Sequence, residues 1–409
     1  MTTSKYQSLD ATLVDHDDAP APTAPPGLSR TSVLPRDRTG GTAPAIASDT
    51  PRYEQLRVLG RGGVGEVTLA IDRDIERPVA VKRLRPDRVS APVIQRFIDE
   101  IRTVGQLEHP NIAPVHDVGI DDAGQHYFVM RYIAGETLEA IIAKLASGDL
   151  AYHARYTFEY RVQVFLGVLN AIHFAHGKGI IHRDIKPSNI MVGPYGEVVV
   201  MDWGIAKKIG APEHAPGDAP GAEPIGTADT AHGGHAARRN DVTAAGTLIG
   251  TPAYMSPEQA RGHTEVDVRS DVYSLSAMFY ELLTLQHYLP SQPTVYALLD
   301  AVLNEPPKMA AMLRSPLQPN VPVELSWYLH RGLAKDPAAR FQSLAEMVSD
   351  LHHAIAGDFA VRCHITLLKR TNTRGLRFVD AHPHLAVAAV VTVAAITLFG
   401  LVELVGKLL

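Results

Sequence analysis

The spacing of apolar residues changes character along the chain, and each change predicts a different element. From Tyr53 to Leu69 apolar positions alternate around glycines (Leu56, Val58, Gly60, Gly62, Gly65, Val67, Leu69), the pattern of a strand, a glycine-rich turn and a second strand. Val79-Ala80-Val81-Lys82 is a short apolar strand ending on a lysine, and His126–Val129 and Val198–Val200 read as further strands. Val93–Leu107 is amphipathic at helical spacing, and Tyr156–Gly177 predicts a long helix. Residues 1–52 show no apolar period and are rich in Ala, Pro, Thr, Ser and Asp, so they bury too little to offset their ordering entropy and are expected to be a disordered tether. At the other end Leu385–Val402 carries no charge, and as a helix it would extend roughly 27 Å at 1.5 Å per residue, close to the hydrocarbon thickness of a bilayer. Lys369, Arg370, Arg374 and Arg377 precede that run, and only Glu403 and Lys407 are charged beyond it. This asymmetry predicts a single-pass tail anchor with everything before it on the cytoplasmic side, residues 356–384 forming a basic juxtamembrane segment.

Composition narrows the picture only in places. The chain has 409 residues, 45% of them hydrophobic and 20% charged, sufficient for a sizeable core with appendages. A formal net charge of −5 gives no global basic surface, so nucleic acid is not an expected partner. The one cysteine, Cys363, excludes an intramolecular disulfide framework and a multi-cysteine zinc site, and fits a reducing compartment. His214, His232 and His235 are too loosely spaced for a metal site, and a solvated loop is the better reading of them.

The chemistry concentrates in Ile180–Asn189, which reads Ile-Ile-His-Arg-Asp-Ile-Lys-Pro-Ser-Asn. Gly60, Gly62 and Gly65 form G-x-G-x-x-G-x-V, where the backbone can approach phosphates because no Cβ intervenes. A dinucleotide-binding fold uses the same spacing before a helix, but here a strand follows, ending in Lys82. Further along come Met201-Asp202-Trp203-Gly204, Ser256-Pro257-Glu258, Arg269-Ser270-Asp271 and Asp336-Pro337-Ala338-Ala339-Arg340.

Together these motifs, in this order over about Tyr53–Ile355, resemble the bacterial Hanks-type serine/threonine protein kinases, most closely in Met255–Gly262. The resemblance implies an α+β, bilobal kinase fold over residues 53–355, with a β-rich N-lobe at about 53–130, a helical C-lobe at about 134–355, and a flexible activation-segment insertion at about 209–241. It implies ATP as phosphate donor, Mg2+ (or Mn2+) as metal and protein Ser/Thr hydroxyls as acceptors. Asp184 is then the base that orients the acceptor hydroxyl, Lys186 neutralises the transferring phosphoryl group, and Asn189 and Asp202 hold metal. Lys82 pairs with the phosphates and with Glu100, for which Asp99 and Glu108 are rivals. Leu59, Gly60, Gly62, Gly65, Val67, Ala80, Met130, Arg131 and Ile133 surround ATP. His182 and Asp271 are scaffolding, as is a Glu258–Arg340 ion pair. Arg183 receives an activation-loop phosphate on Thr243 or Thr247, added in trans through a transient homodimer, and Thr251 lies in the substrate loop. Trp203 stands where the family usually has Phe. The competing reading is a pseudokinase, a nucleotide- or partner-binding signalling module without catalysis. Loss of the lysine, base or metal ligands would favour it, and Lys82, Glu100, Asp184, Asn189 and Asp202 are all present.

Overall fold

A computed structural model of the chain describes residues 51–62, 65–208, 252–263 and 266–356, together with Thr392 and Thr397. The expected tether before Pro51, the insertion at 209–241, Thr243, Thr247 and Thr251 lie outside the described residues, as do the juxtamembrane stretch after Ala356 and Leu385–Val402 apart from those two threonines. Among the described residues no helix is long and apolar enough to cross a membrane. Two compact units emerge: one takes the chain through Val89 and adds His116–Tyr132, and the other takes Ser90–Val115 and everything from Ile133.

In the first unit the alternating segment folds as β1 (Tyr53–Arg61) and β2 (Gly65–Asp72), followed by β3 (Arg77–Leu84). With β4 (Val115–Ile120) and β5 (His126–Arg131) they make one sheet in the order β1-β2-β3-β5-β4. β5 runs two residues beyond the predicted strand, through Met130 and Arg131, because both pair with β3. Directly paired residues share a face of an antiparallel sheet, and that face alternates along each strand. The register therefore sorts side chains into two sets. Ala70, Val79, Val81, Tyr127, Val129 and Tyr53 pack into a dry core on one face. Val67, Leu69, Ala80, Lys82, Phe128 and Met130 lie on the other, Val67 and Phe128 flanking Lys82 and Leu69 and Met130 flanking Ala80. β1 departs from simple alternation, with irregularities between Gln55 and Arg57 and between Val58 and Gly60, and leaves Leu56, Val58 and Leu59 exposed.

The second unit begins with helix α1 (Ala91–Val104), three residues shorter at its C-terminal end than its apolar pattern predicts. Burial of Phe97, Glu100 and Val104 orients it, and Val104 joins the large helical core, which is why this helix clusters with the second unit rather than with the sheet. A small sheet of β6 (Glu136–Thr137), β8 (Ile190–Val192) and β9 (Val198–Val200) supports the loops that carry the chemistry. Between β6 and β8 come α2 (Leu138–Ala146), α3 (Leu150–Arg155), α4 (Phe158–Gly177) and β7 (Ile180–Ile181), the last paired with β10 (Lys207–Lys208). The long helix starts later than Tyr156 because the Thr157 hydroxyl accepts the Tyr160 N–H as an N-cap. After β10 come α5 (Pro257–Ala260), α6 (Val268–Thr284), α7 (Val295–Asn304), α8 (Val323–Gly332) and α9 (Leu344–Ile355). α6 is buried all round from Ser270 to Thr284, the signature of a helix at the centre of a bundle, and Phe279 stacks on Phe165 of α4 at 3.9 Å.

Candidate functional site

In the sheet unit, Lys82 is half-buried on the non-core face, its Nζ 5.9 Å from the Phe128 ring centre. The three motif glycines differ in what they require. A methyl group built on Gly65 would stand 3.0 Å from the Arg83 carbonyl oxygen, so a side chain there would need β3 to give way by a few tenths of an ångström. At Gly60 a methyl meets nothing within 4 Å, and at Gly62 only the Gly65 carbonyl oxygen at 3.6 Å. Packing among the described residues does not require those two glycines, and the space over them suits a phosphate group lying against the backbone. Ala80 is nearly dry between Leu69 and Met130, while Arg131 is exposed at the end of β5. Ile133, in the second unit, is buried with Ala113 and Val199.

In the helical unit the loop between β7 and β8 is tied internally at each chemical residue. Lys186 Nζ donates to Asp184 Oδ2 at 2.7 Å, and both side chains are mostly buried. Asn189 Nδ2 donates to the Asp184 carbonyl oxygen at 2.9 Å and approaches Asp184 Oδ2 at 3.4 Å. That leaves the Asn189 amide oxygen as the end with which a cation would be bound. The backbone N–H of Met201 donates to the Asn189 carbonyl at 2.8 Å, so Asp202 follows directly from a residue fastened to the loop. The Glu100 carboxylate sits beside this turn: a methyl on Gly204 would lie 3.3 Å from Glu100 Oε2 and 3.4 Å from Asp202 Oδ1.

Among the described residues no group of three or more His, Cys, Asp or Glu is placed to hold a metal by itself. Asn189 and Asp202 nevertheless fit Mg2+, which prefers hard oxygen donors and characteristically takes one or two protein ligands, completing its shell with water and substrate phosphates.

The loop's backbone is strained where the chemistry begins. Arg183 has φ 70° and Asp202 φ 58°, left-handed conformations that cost non-glycine residues of order 1–3 kcal/mol. Asp271 of α6 holds the first of them. Its Oδ1 accepts the Arg183 N–H and its Oδ2 the His182 N–H, each at 2.9 Å, while His176 Nε2 donates to Oδ2 at 2.7 Å. Burial of Asp271 opposes its charged form, but the hydrogen bond and charge of His176, with the His182 backbone N–H, outweigh it and hold the carboxyl below its ordinary value. The His182 ring bridges the two chemical segments: Nδ1 accepts the Asp184 N–H at 3.3 Å and Nε2 donates to the Met201 carbonyl at 3.3 Å. That pair of partners fixes its neutral Nε2–H tautomer. Trp203, 4.5 Å from the His182 ring centre, is buried with its indole N–H unpartnered among the described residues.

The segment after the undescribed stretch is anchored as firmly. Glu258 accepts two parallel hydrogen bonds from Arg340, at 2.8 and 2.9 Å, and a third from the Ser270 hydroxyl. Arg340 also donates to the carbonyls of Ala334, Lys335 and Arg269. Two further residues, to which the motifs assign no role, hold the framework together. Asn111 fastens the stretch after α1 to β9, its Nδ2 donating to the Val198 carbonyl and its own carbonyl accepting the Val200 N–H. Gln259 donates to the Arg183 carbonyl at 3.0 Å. Its sequence signal is the capping-box spacing Ser256-x-x-Gln259 at the start of α5.

Comparison with known proteins agrees with this arrangement. Residues 53–352 match the family described as protein kinase domain. The chain is similar to the serine/threonine-protein kinase PknD of Protochlamydia amoebophila, 33% identical over 317 residues, covering 75% of this chain and 30% of that protein. A probable serine/threonine-protein kinase of Streptomyces coelicolor is 36% identical over 310 residues, covering 75% of this chain and 40% of the relative. PknB of Mycobacterium tuberculosis is 37% identical over 314 residues, 76% of this chain and 44% of the relative. The similarity thus spans less than half the length of these curated relatives. With a family match that covers most of its length, the chain belongs to the protein kinase family.

Proposed function

We propose that the chain is a serine/threonine protein kinase, transferring the γ-phosphate of ATP to Ser or Thr hydroxyls of proteins. The observation that carries this reading is the loop in which Asp184 is held by Lys186 and Asn189, followed through the Asn189–Met201 hydrogen bond by Asp202. Asp184 accepts the acceptor hydroxyl's proton and aims its oxygen at the γ-phosphorus. Lys186, 2.7 Å from Asp184, places a positive charge where the transferring phosphoryl group passes. Asn189 and Asp202 supply the oxygens for Mg2+, which when bound neutralises charge on the phosphates; Mn2+ is the substitute. Lys82 and the backbone over Gly60 and Gly62 position the phosphates, and Glu100 is the carboxylate assigned to orient Lys82. The test is phosphate transfer by the full chain with Mg-ATP and a generic protein acceptor. Asp184→Asn is expected to lower kcat by roughly 10²- to 10⁴-fold. Transfer that persists unchanged in that variant overturns the assignment.

The same reading extends to regulation and location. Phosphorylation of Thr243 or Thr247 in trans, within a transient homodimer, would add about −1.5 to −2 charges for Arg183 to meet, and Thr251, in the substrate-binding loop, would hydrogen-bond near Asp184 and Lys186. Mass spectrometry of fully active enzyme should find one of the two threonines modified; both unmodified would exclude this switch. Leu385–Val402 would tether the kinase to the cytoplasmic face of the inner membrane, a reading supported by its lack of charge and by Thr392 and Thr397, which are helical and exposed.

A further inference from the structure

The peptide unit joining Arg183 to Asp184 is clamped at both of its polar atoms. Its N–H, on Asp184, goes to His182 Nδ1, and its carbonyl, on Arg183, receives Gln259 Nε2 at 3.0 Å. Asp271 holds the preceding N–H, on the other side of a residue with φ 70°. Local sequence would not choose this backbone, and its orientation sets where the Asp184 carboxylate points. The Gln259 clamp comes from the Ser256–Ala260 turn, whereas Asp271 reaches the loop from α6.

The Gln259 side chain is committed to this role by its other contacts. Its Oε1 accepts from the Ser256 N–H at 3.1 Å and the Ser256 hydroxyl at 3.0 Å, so the amide cannot flip without losing both. Nε2 is thereby left facing the Arg183 carbonyl. One side chain closes the capping box of α5 and ties that cap to the residue before the base. Glu258, its neighbour, is locked by Arg340, so the donor is presented from a fixed support.

We propose that Gln259 is a positioning residue for Asp184, transmitting the placement of the Ser256–Ala260 turn to the catalytic base through the Arg183 carbonyl. The inference rests on the phosphotransfer reading given above. A role confined to capping α5 is the alternative to separate. Gln259→Glu retains an oxygen for the capping box but replaces the donor with a carboxylate oxygen that repels the Arg183 carbonyl. Ser256→Ala weakens the cap while leaving the Gln259 amide held by the Ser256 N–H. Gln259→Met keeps the length and removes both polar atoms.

The experiment measures kcat and KM for ATP on the full chain with Mg-ATP and a protein acceptor, together with amide hydrogen exchange across residues 182–184. Gln259→Glu and Gln259→Met should lower kcat by about ten- to a hundredfold with KM for ATP within about twofold, the scale expected for a base misplaced by a fraction of an ångström to one ångström. Exchange of the Asp184 amide should accelerate in both, and Ser256→Ala should keep kcat within about twofold of wild type. Glutamate and methionine variants that keep wild-type kcat overturn the proposal, and so does a Ser256→Ala variant as impaired as they are. If the wild-type chain transfers no phosphate, the phosphotransfer reading fails by itself. Asp184 exchange then still decides whether Gln259 holds the loop, and unchanged exchange would refute it.

Discussion

A methyl group at Gly65 would press on the Arg83 carbonyl oxygen, whereas at Gly60 it would enter open space. Residues that a motif treats alike therefore have separate physical reasons, and substitution should separate them. Gly65→Ala is expected to destabilise the sheet unit by about 1–3 kcal/mol, since neither strand backbone can easily yield. Gly60→Ala should leave stability within about 0.5 kcal/mol and instead raise KM for ATP. Urea denaturation alongside ATP titration checks both, and equal destabilisation by the two variants would contradict the assignment. Trp203 plays a packing role at the same scale, its ring filling the core against His182 at 4.5 Å between ring centres.

At the scale of elements, the helical unit depends on pairs that join helix to loop. Glu258 and Arg340 bring α5 against the turn that precedes α9, with Ser270 of α6 as a third partner. Removing Arg340 alone strands a buried carboxylate, so Arg340→Ala should cost about 3–5 kcal/mol, while Glu258→Met combined with Arg340→Leu should cost clearly less. Burial opposes the ionised form of Glu258, but Arg340 and Ser270 hold its carboxyl below the ordinary value, as His176 does for Asp271. With folded values depressed, the unfolded chain binds more protons as pH falls. The stabilisation from both carboxyls is therefore full above about pH 4.5 and lost as pH drops through their lowered values. Denaturation midpoints from pH 7 to pH 3 should fall less steeply in Glu258→Gln than in wild type; parallel curves would remove this pair from the acid response. The sequence announced that Glu258 and Arg340 belong together only through resemblance, since the two lie 82 positions apart. By contrast, the helix caps at Thr157 and Ser256 are local spacings that any reading of the chain could find.

For the whole molecule, location is the property that bears most on use. Confinement to a surface raises the rate at which two copies meet, which favours trans-phosphorylation without a new contact. The full chain is expected in the membrane fraction, resistant to high-salt washing, and a chain ending before Leu385 in the soluble fraction. Equal partitioning of both forms would refute the tether. High-salt washing separates the tether from electrostatic adsorption of the basic stretch 356–384, which salt would release.

Which chemical groups are present, and in what order, is legible along the chain. Asp184, Lys186 and Asn189 bond to one another across only a few positions, the glycines recur at short spacing, and strand alternation follows from the two-residue period of the backbone. Such relations are local, so they are legible in a string. Tertiary structure alone decided the rest. It placed Lys82 on the face opposite the dry core, held Arg183 and Asp202 in left-handed backbone, and brought Asp271 from 88 positions away and Gln259 from 76 to brace the loop. The physical reason is that the left-handed backbone at Arg183 is held by hydrogen bonds from elements far away in sequence. Which elements meet is settled by the packing of buried helices such as α4 and α6, not by the residues on either side of the loop.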